Sequence, residues 1–417
     1  MEIEFLGGAG EVGRSGILVK DSKNILLDYG IKIDGHTEYP RNTDKVDACI
    51  ISHAHLDHSG FSPHIYQQGL PETFATAPTM QLAELLIEDS IKIHRKNHEH
   101  PHFHKNQLST MMQTYTPCAY GKRYEFGEYN ISMYDAGHIC GSAVTLVEKY
   151  KNGRKLVYTG DFKIEPQLLE GGAEIVKSDI LILESTYAGS DHPNRDEYME
   201  RMVNEVREVV DNNGVALIPV FAVGRSQEML ALMNKYGLID RTFIDGMARA
   251  ATEIVEGYPE YVKNNNMLRT AIDKVEWVES PRNRAKALEG GSIILTTSGM
   301  LNGGPVLNYI TRLNRNSKIF ITGYQVENTN GHKLVNGKQL DIDGREYRVK
   351  TPYSVYDFSA HAGKTELHRY VKESCPETVI CVHGSQENTK LLAEDLKLEG
   401  FDARAPIVGE SIKLENL

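Results

Sequence analysis

The run Ser52-His53-Ala54-His55-Leu56-Asp57-His58-Ser59-Gly60 places His53, His55, Asp57 and His58 close together, directly after the apolar stretch ACII. Imidazole nitrogen and carboxylate oxygen are the donors that hydrolytic zinc sites use. On a loop, residues at i and i+2 can face one ion while those at i+4 and i+5 face another. The competing reading is a chance cluster of polar loop residues, and HxHxDH at the end of a strand argues against it. Later, His138 sits in DAGHICGS, Asp161 closes KLVYTGD and His383 closes TVICVHGS. Each alone would be an ordinary polar residue at a strand end. Together with the first run they supply the roughly eight contacts that two metal ions need, if Asp161 bridges and counts twice.

The elements that must carry these residues are strands in the first part of the chain. EIEFL, GILVK, NILLDYG and VDACIISH read as short strands between Gly, Asp and Asn turns. A helix follows from about Pro78 to His94, with Leu82, Leu85, Leu86 and Ile93 at helical spacing. Strands resume at YNISMYDA, SAVTLVEKY, KLVYTGD and DILILEST. After about residue 190 the grain changes to strands alternating with helices, from the amphipathic RDEYMERMVNEVREVVDNNG through VALIPV, SQEMLALMNKYG, TFIDG, MARAATEIVEGY, SIILTTSG, VLNYITRLN and KIFITGY. That alternation predicts parallel βαβ units and a doubly wound sheet. The predicted organisation is an α/β domain over 191–345 inserted between two segments of another domain, 1–190 and 346–417.

Two signals are discounted. Gly8-Ala9-Gly10-Glu11-Val12-Gly13 spells GxGxxG after a strand, but the dinucleotide reading needs it to open a helix. The next segment, SGILVKD, is strand-like, so a glycine turn between two strands is expected. His94, His98, His100, His102 and His104 form a dense cluster, yet HEHPHFH around Pro101 suits a loop or exposed extended piece, solvated or locally packed. Of 417 residues, 40% are hydrophobic and 25% charged, an ordinary globular composition. The net charge of −11 excludes binding of nucleic acid through overall basicity, so any polyanion site must be local. No secretory leader is expected from MEIEFLGGAGEVG, and no window reaches the roughly 18 apolar residues of a membrane span. Five cysteines without CxxC spacing read as free thiols of a reducing cytoplasm.

Through these motifs the chain resembles the metallo-β-lactamase superfamily: Asp28 in LLDYG, the HAHLDH run, His138 and Asp161 match its successive motifs. More narrowly it resembles the β-CASP nucleases, through Glu184 in LILESTY, His361 in DFSAHAG and His383 in CVHGS. PVFAVGRSQEML, TTSGMLNGGPV and ITGYQVENT resemble stretches of that family's inserted domain. FSAHAG and His383 are closest in type to the RNA-directed branch that includes the nuclease subunit of the cleavage and polyadenylation specificity factor. The resemblance implies an αββα metallo-β-lactamase sandwich with an inserted doubly wound α/β β-CASP domain, an α/β protein throughout.

The same resemblance implies two Zn²⁺ per chain. His53, His55, His138 and Asp161 would hold one, and Asp57, His58, Asp161 and His383 the other, with Asp28 positioning the ligand loop. Glu184 and His361 would act as an acid–base pair beside Asp57. The implied activity is hydrolysis of RNA phosphodiesters, endonucleolytic with 5′-to-3′ exonuclease capacity, in RNA processing or decay. The implied partners are RNA and, for assembly, a second copy or an RNA-processing complex; a membrane is not among them. Arg225, Ser359 and position 360 are candidate substrate contacts, with Arg249, Arg282, Arg284, Lys286, Arg312 and Arg315 as further cations of the insertion. That insertion is expected to wall a cleft long enough for a polymer. No further RNA-binding domain is expected before Met1 or after Leu417, and sequence selectivity is therefore expected to be weak. The alternatives are a non-catalytic RNA-binding or assembly subunit, and a hydrolase of small esters.

Overall fold

A computed structural model describes every residue except 35, 100, 152, 343 and 415–417. The chain divides into two compact units, one made of Met1–Pro166, Gly171–Asp191 and Ala360–Leu417, the other of Gln167–Glu170 and His192–Ser359.

The first unit is built on two sheets. In spatial order one runs Ser411–Lys413, Glu2–Gly7, Gly16–Lys20, Asn24–Leu27, Ala48–Ile50, Glu72–Ala75 and Thr116–Pro117. The other runs Asp402–Arg404, Thr378–Val382, Ile180–Glu184, Lys155–Tyr158, Ala143–Lys149, Tyr129–Asp135 and Arg123–Phe126. They share one apolar core, with Phe5, Ile17, Ile25, Ile50 and Phe74 of the first sheet beside Ile131, Val147, Leu156, Ile182 and Ile380 of the second. Side chains of a strand alternate between faces. Ile180 and Ile182 therefore enter this core, while Leu181 and Leu183 join a second cluster with Leu367, Tyr370 and Val371 of the helix Lys364–Ser374 and Leu392 and Leu396 of Gln386–Leu398. The other helical layer comes from Ala77–Lys96, which buries Met80, Ala83, Ile87 and Ile91 along one stripe.

Strand direction decides where the chemistry can gather. Asn24–Leu27, Ala48–Ile50 and Glu72–Ala75 are mutually parallel, as are Lys155–Tyr158, Ile180–Glu184 and Thr378–Val382. Parallel neighbours put their carboxyl ends at one edge of a sheet, where open α/β folds place their ligands. The residues singled out from the sequence follow those ends.

The second unit carries a parallel sheet in the order Glu276–Trp277, Thr242–Asp245, Ser292–Thr296, Val215–Pro219, Lys318–Ile321 and Tyr353–Val355. Ala216 and Ile218 face one cluster, and Val215 and Leu217 face another, so helices cover both sides. This unit runs on past residue 345 to Ser359, because Tyr353–Val355 pairs with Lys318–Ile321 as the last strand. Asn265–Lys274 is a helix where the sequence suggests none; the polar NNN that opens it obscures the buried stripe of Leu268, Ala271 and Ile272.

The discounted signals resolve locally. Glu2–Gly7 and Gly16–Lys20 pair antiparallel, so the GxGxxG run is a turn between strands. His94 is the buried end of Ala77–Lys96: its Nδ1 donates to the Ser90 carbonyl at 2.8 Å, and its Nε2 lies 3.0 Å from the Thr37 hydroxyl. His102 packs edge-on to Tyr39, and His104 caps the helix Lys105–Thr114. His100 lies outside the described residues. Among the described residues these histidines form no metal-holding group. Cys49, Cys118, Cys140 and Cys381 are buried and Cys375 is exposed. No helix among the described residues is long and apolar enough to cross a membrane.

Ile182 is fully buried between the sheets of the first unit. Ile182→Ala is expected to cost about 2–5 kcal/mol, read as a lower denaturant midpoint at unchanged slope.

Candidate metal centre

The ligand loop begins at a carboxylate. Asp28 follows the strand Asn24–Leu27 in the left-handed region, at φ 56°. Its buried carboxylate accepts four hydrogen bonds of 2.7 Å, from the Ser52 N–H, the Ser52 hydroxyl, His58 Nδ1 and the Tyr158 hydroxyl. The bond from His58 Nδ1 leaves the lone pair on Nε2, which is the tautomer a metal ligand needs. Ser52 Oγ also lies 3.0 Å from His53 Nδ1, and accepting that N–H does the same for His53. Gly30 makes the loop's approach feasible, because a Cβ there would sit 1.8 Å from the Asp57 carbonyl oxygen.

The donor atoms then converge. Around Asp161 Oδ2, His53 Nε2 lies at 3.6 Å and His138 Nε2 at 3.9 Å, with His138 Nε2 and His55 Nδ1 3.2 Å apart. Around Asp161 Oδ1, His383 Nδ1 lies at 3.0 Å and His58 Nε2 at 3.4 Å. His58 Nε2 and His383 Nε2 are 3.2 Å apart, and Asp57 Oδ2 lies 3.4 Å from His383 Nε2. Donors bound tetrahedrally to zinc at ~2.0–2.2 Å stand roughly 3.3–3.6 Å from one another. The two quartets, His53–His55–His138–Asp161 and Asp57–His58–Asp161–His383, keep their donor atoms within 4.8 Å of one another, around that spacing, and share Asp161. His53 Nε2 and Asp161 Oδ1 are buried and take no hydrogen bond from the protein. The residues present therefore fit metal ions.

The electrostatics agree. Burial and the neighbouring imidazoles hold His53 and His138 well below the usual imidazole range, and burial lowers His55, so these three stay neutral donors. Burial opposes charge on His58 and His383 too, but the carboxylates of Asp161 and Asp57 outweigh it, raising His58 and pushing His383 up to about 10. Burial likewise opposes ionisation of Asp161, and His383 and His58 outweigh that, holding it well below the carboxylate range. The pocket keeps its carboxylates ionised and calls for positive charge.

Beside the quartets stands a second device. His361 Nδ1 lies 3.1 Å from both oxygens of Glu184. Glu184 ends the strand Ile180–Glu184 and is fixed by the Phe162 N–H at 3.1 Å and the Thr186 N–H at 3.3 Å. Burial disfavours charge on His361, but Glu184 and Asp161 outweigh it and raise its pKa. The imidazole is 22% exposed while Glu184 is 1% exposed, so the pair presents its nitrogen base and hides its carboxylate.

The structure thus brings together Asp28, His53, His55, Asp57, His58, His138, Asp161, Glu184, His361 and His383. Ser52, Tyr158 and Gly30 were missed, and only the adjacency of Ser52 to the HxHxDH run could have suggested it. The expected substrate contacts fare differently. Position 360 is alanine and brings no polar side chain; its carbonyl accepts from His138 Nδ1 at 2.9 Å. In the second unit Arg225 opens the helix Arg225–Lys235 and donates to the Phe358 carbonyl, and Ser359 is buried. Arg249 and Arg284 pair with Glu279 and Asp245, and Lys286 with Glu276. Arg282, Arg312 and Arg315 are exposed, with no ion pair among the described residues.

Comparison with known proteins settles the lineage. Residues 226–334 match the Beta-Casp domain, 346–406 the Zn-dependent metallo-hydrolase RNA specificity domain, and 11–206 the anti-Pycsar protein Apyc1. A probable RNase of Methanocaldococcus jannaschii, MJ4, is 36% identical over 99% of this chain and 100% of its own length. The chain belongs to the β-CASP family of metallo-β-lactamase-fold hydrolases. RNase aCSPSF2 of Saccharolobus solfataricus is 34% identical over 99% of this chain and 85% of its own. The transcription termination factor FttA of Methanococcus maripaludis is 33% identical over 98% and 71%. A crystal structure of a protein of unknown function from Enterococcus faecalis V583 shares this β-CASP protein's fold at TM-score 0.62 and 14% identity, covering 99% of both chains. The metallo-β-lactamase fold with its β-CASP insertion, and metal binding at the His/Asp cluster, follow.

Gly30→Ala is expected to displace the Asp57–His58 backbone, and metal analysis should show a reduced content in whatever protein folds. A second outcome concerns Asp135, which accepts the Gly137 N–H at 2.8 Å in the turn leading to His138. Burial and then Glu174 push it up to about 6. Its folded-state value exceeds the unfolded ~3.9, so its contribution is full below that value and lost as pH rises through about 6. Asp135→Asn keeps the acceptor and should raise the melting temperature at pH 7.5 but not at pH 3.5.

Proposed function

We propose that this chain is a zinc-dependent ribonuclease that hydrolyses RNA phosphodiester bonds at a centre of two Zn²⁺, cutting internally and able to proceed 5′ to 3′. The observation that carries this reading is the pair of donor quartets sharing Asp161, with the His361–Glu184 pair alongside. The names of two relatives, probable RNase MJ4 and RNase aCSPSF2, support RNA as the substrate. A non-catalytic role fits poorly, because a potential donor stands at every position of both quartets. The exposed Arg282, Arg312 and Arg315 suit contacts to backbone phosphates better than Arg249 or Arg284, whose charges are already paired.

When bound, zinc supplies the Lewis acidity that ionises water near neutral pH and offsets the charge a phosphodiester gains in its transition state. Asp57, 32% exposed with an oxygen facing His383, accepts a hydrogen bond from the attacking water and orients it. As the new phosphorus–oxygen bond forms and the old one breaks, His361 gives its proton to the leaving ribose oxygen. Glu184 stabilises the imidazolium beforehand, which keeps His361 able to donate.

Metal analysis of the purified protein should give two zinc ions per chain, and chelation should abolish cleavage of end-labelled RNA. Cleavage of matched DNA with RNA untouched would overturn the substrate assignment. His361→Ala should slow RNA cleavage by about 10²–10⁴-fold at unchanged zinc content; loss of zinc would make His361 a ligand instead. Protonated His361 is required, so activity should fall as pH rises through the raised pKa of that residue.

A further inference from the structure

Lys163 stands two residues after Asp161, and both it and Glu366 are buried. Its ammonium donates to the His361 carbonyl at 3.1 Å and to Glu366 Oε2 at 3.2 Å. Glu366 also accepts from the N–H groups of Ile164, Glu165 and Gly363 at 2.9, 2.7 and 2.9 Å. The segment from Ala360 to Gly363 is therefore gripped at three successive places: His138 Nδ1 holds the carbonyl of 360, Lys163 that of 361, and Glu366 the N–H of 363. Meanwhile the Phe162 N–H holds Glu184. Asp161-Phe162-Lys163 thus contributes the shared carboxylate, fixes the partner of the imidazole and fixes the backbone that bears the imidazole.

A buried ammonium–carboxylate pair is a poor way to gain stability, because desolvation of the two charges offsets their attraction. A hydrophobic pair of the same volume would fill the space. What such a pair cannot do is hold a carbonyl oxygen at a set distance from Asp161. We propose that Lys163, locked by Glu366, is a positioning residue that sets His361 in register with the shared carboxylate for proton transfer to the leaving oxygen. This deepens the ribonuclease reading and rests on His361 being its acid. Misplacing a proton donor by about 1 Å costs as much as 10²-fold in rate.

The test compares RNA, whose leaving alkoxide needs a proton, with bis(4-nitrophenyl) phosphate, whose phenolate leaves without one. In the zinc-loaded protein, His361→Ala should lower kcat on RNA much more than on the activated diester. Lys163→Met should do the same in milder form, about 10- to 100-fold on RNA, with KM and zinc content unchanged. Lys163→Met/Glu366→Gln, which leaves no lone buried charge, should behave alike if the single variant folds poorly. Lys163→Arg should recover part of the loss. Adding Lys163→Met to His361→Ala should cost nothing further, because Lys163 acts only through the imidazole. If His361→Ala shows the selective loss while the Lys163 variants slow both substrates equally, or the two losses multiply, the positioning role is overturned and the ribonuclease reading stands. If His361→Ala itself shows no selectivity, His361 is not the acid and both fall.

Discussion

One buried carboxylate organises the first unit. Asp161 is 3% exposed, and its two oxygens face different sets of imidazoles, His53 and His138 on one side, His58 and His383 on the other. An ionised carboxylate away from water is tolerable only with positive charge around it. Those imidazoles stand beyond three different strands, Ala48–Ile50, Tyr129–Asp135 and Thr378–Val382, and Asp161 itself beyond Lys155–Tyr158. Running the strands in one direction is the cheapest way to bring all four exits together.

The grip on the imidazoles comes from groups outside the centre. Asp28 holds His58, Ser52 holds His53, and the backbone carbonyl of Ala360 holds His138. Each takes the outer ring nitrogen and so fixes which inner nitrogen carries the lone pair. Asp28 sits in a left-handed conformation, a local cost of ordering that its four hydrogen bonds offset.

Much of this was legible in the sequence because donors of one kind were adjacent. HxHxDH announces itself over six residues; His138, Asp161 and His383 gained meaning only beside it. Glu184 and His361 were legible through family resemblance alone, since an acidic residue ending a strand and a histidine in a loop carry no signal singly. Tyr158 and Lys163 left no trace, because a strand tyrosine or a post-strand lysine is ordinary until it meets Asp28 or His361, 130 and 198 residues away. Gly30 carried no signal of its own, because its lack of a side chain serves a close approach to the Asp57 backbone 27 residues on. The alternation of strands and helices predicted the parallel sheet of the second unit, whose buried strands need no amphipathic pattern. It could not mark Tyr353–Val355, three residues at an edge, half polar and short.

His383 meets His58 across 325 residues of chain, with the whole of the second unit made in between. On the ribosome, 382 of these 417 residues are joined before the last imidazole exists. Until then one side of Asp161 faces Asp57 and His58 without their third companion. A stretch of chain that stops short of His383 therefore holds every donor of the first quartet but an incomplete second one.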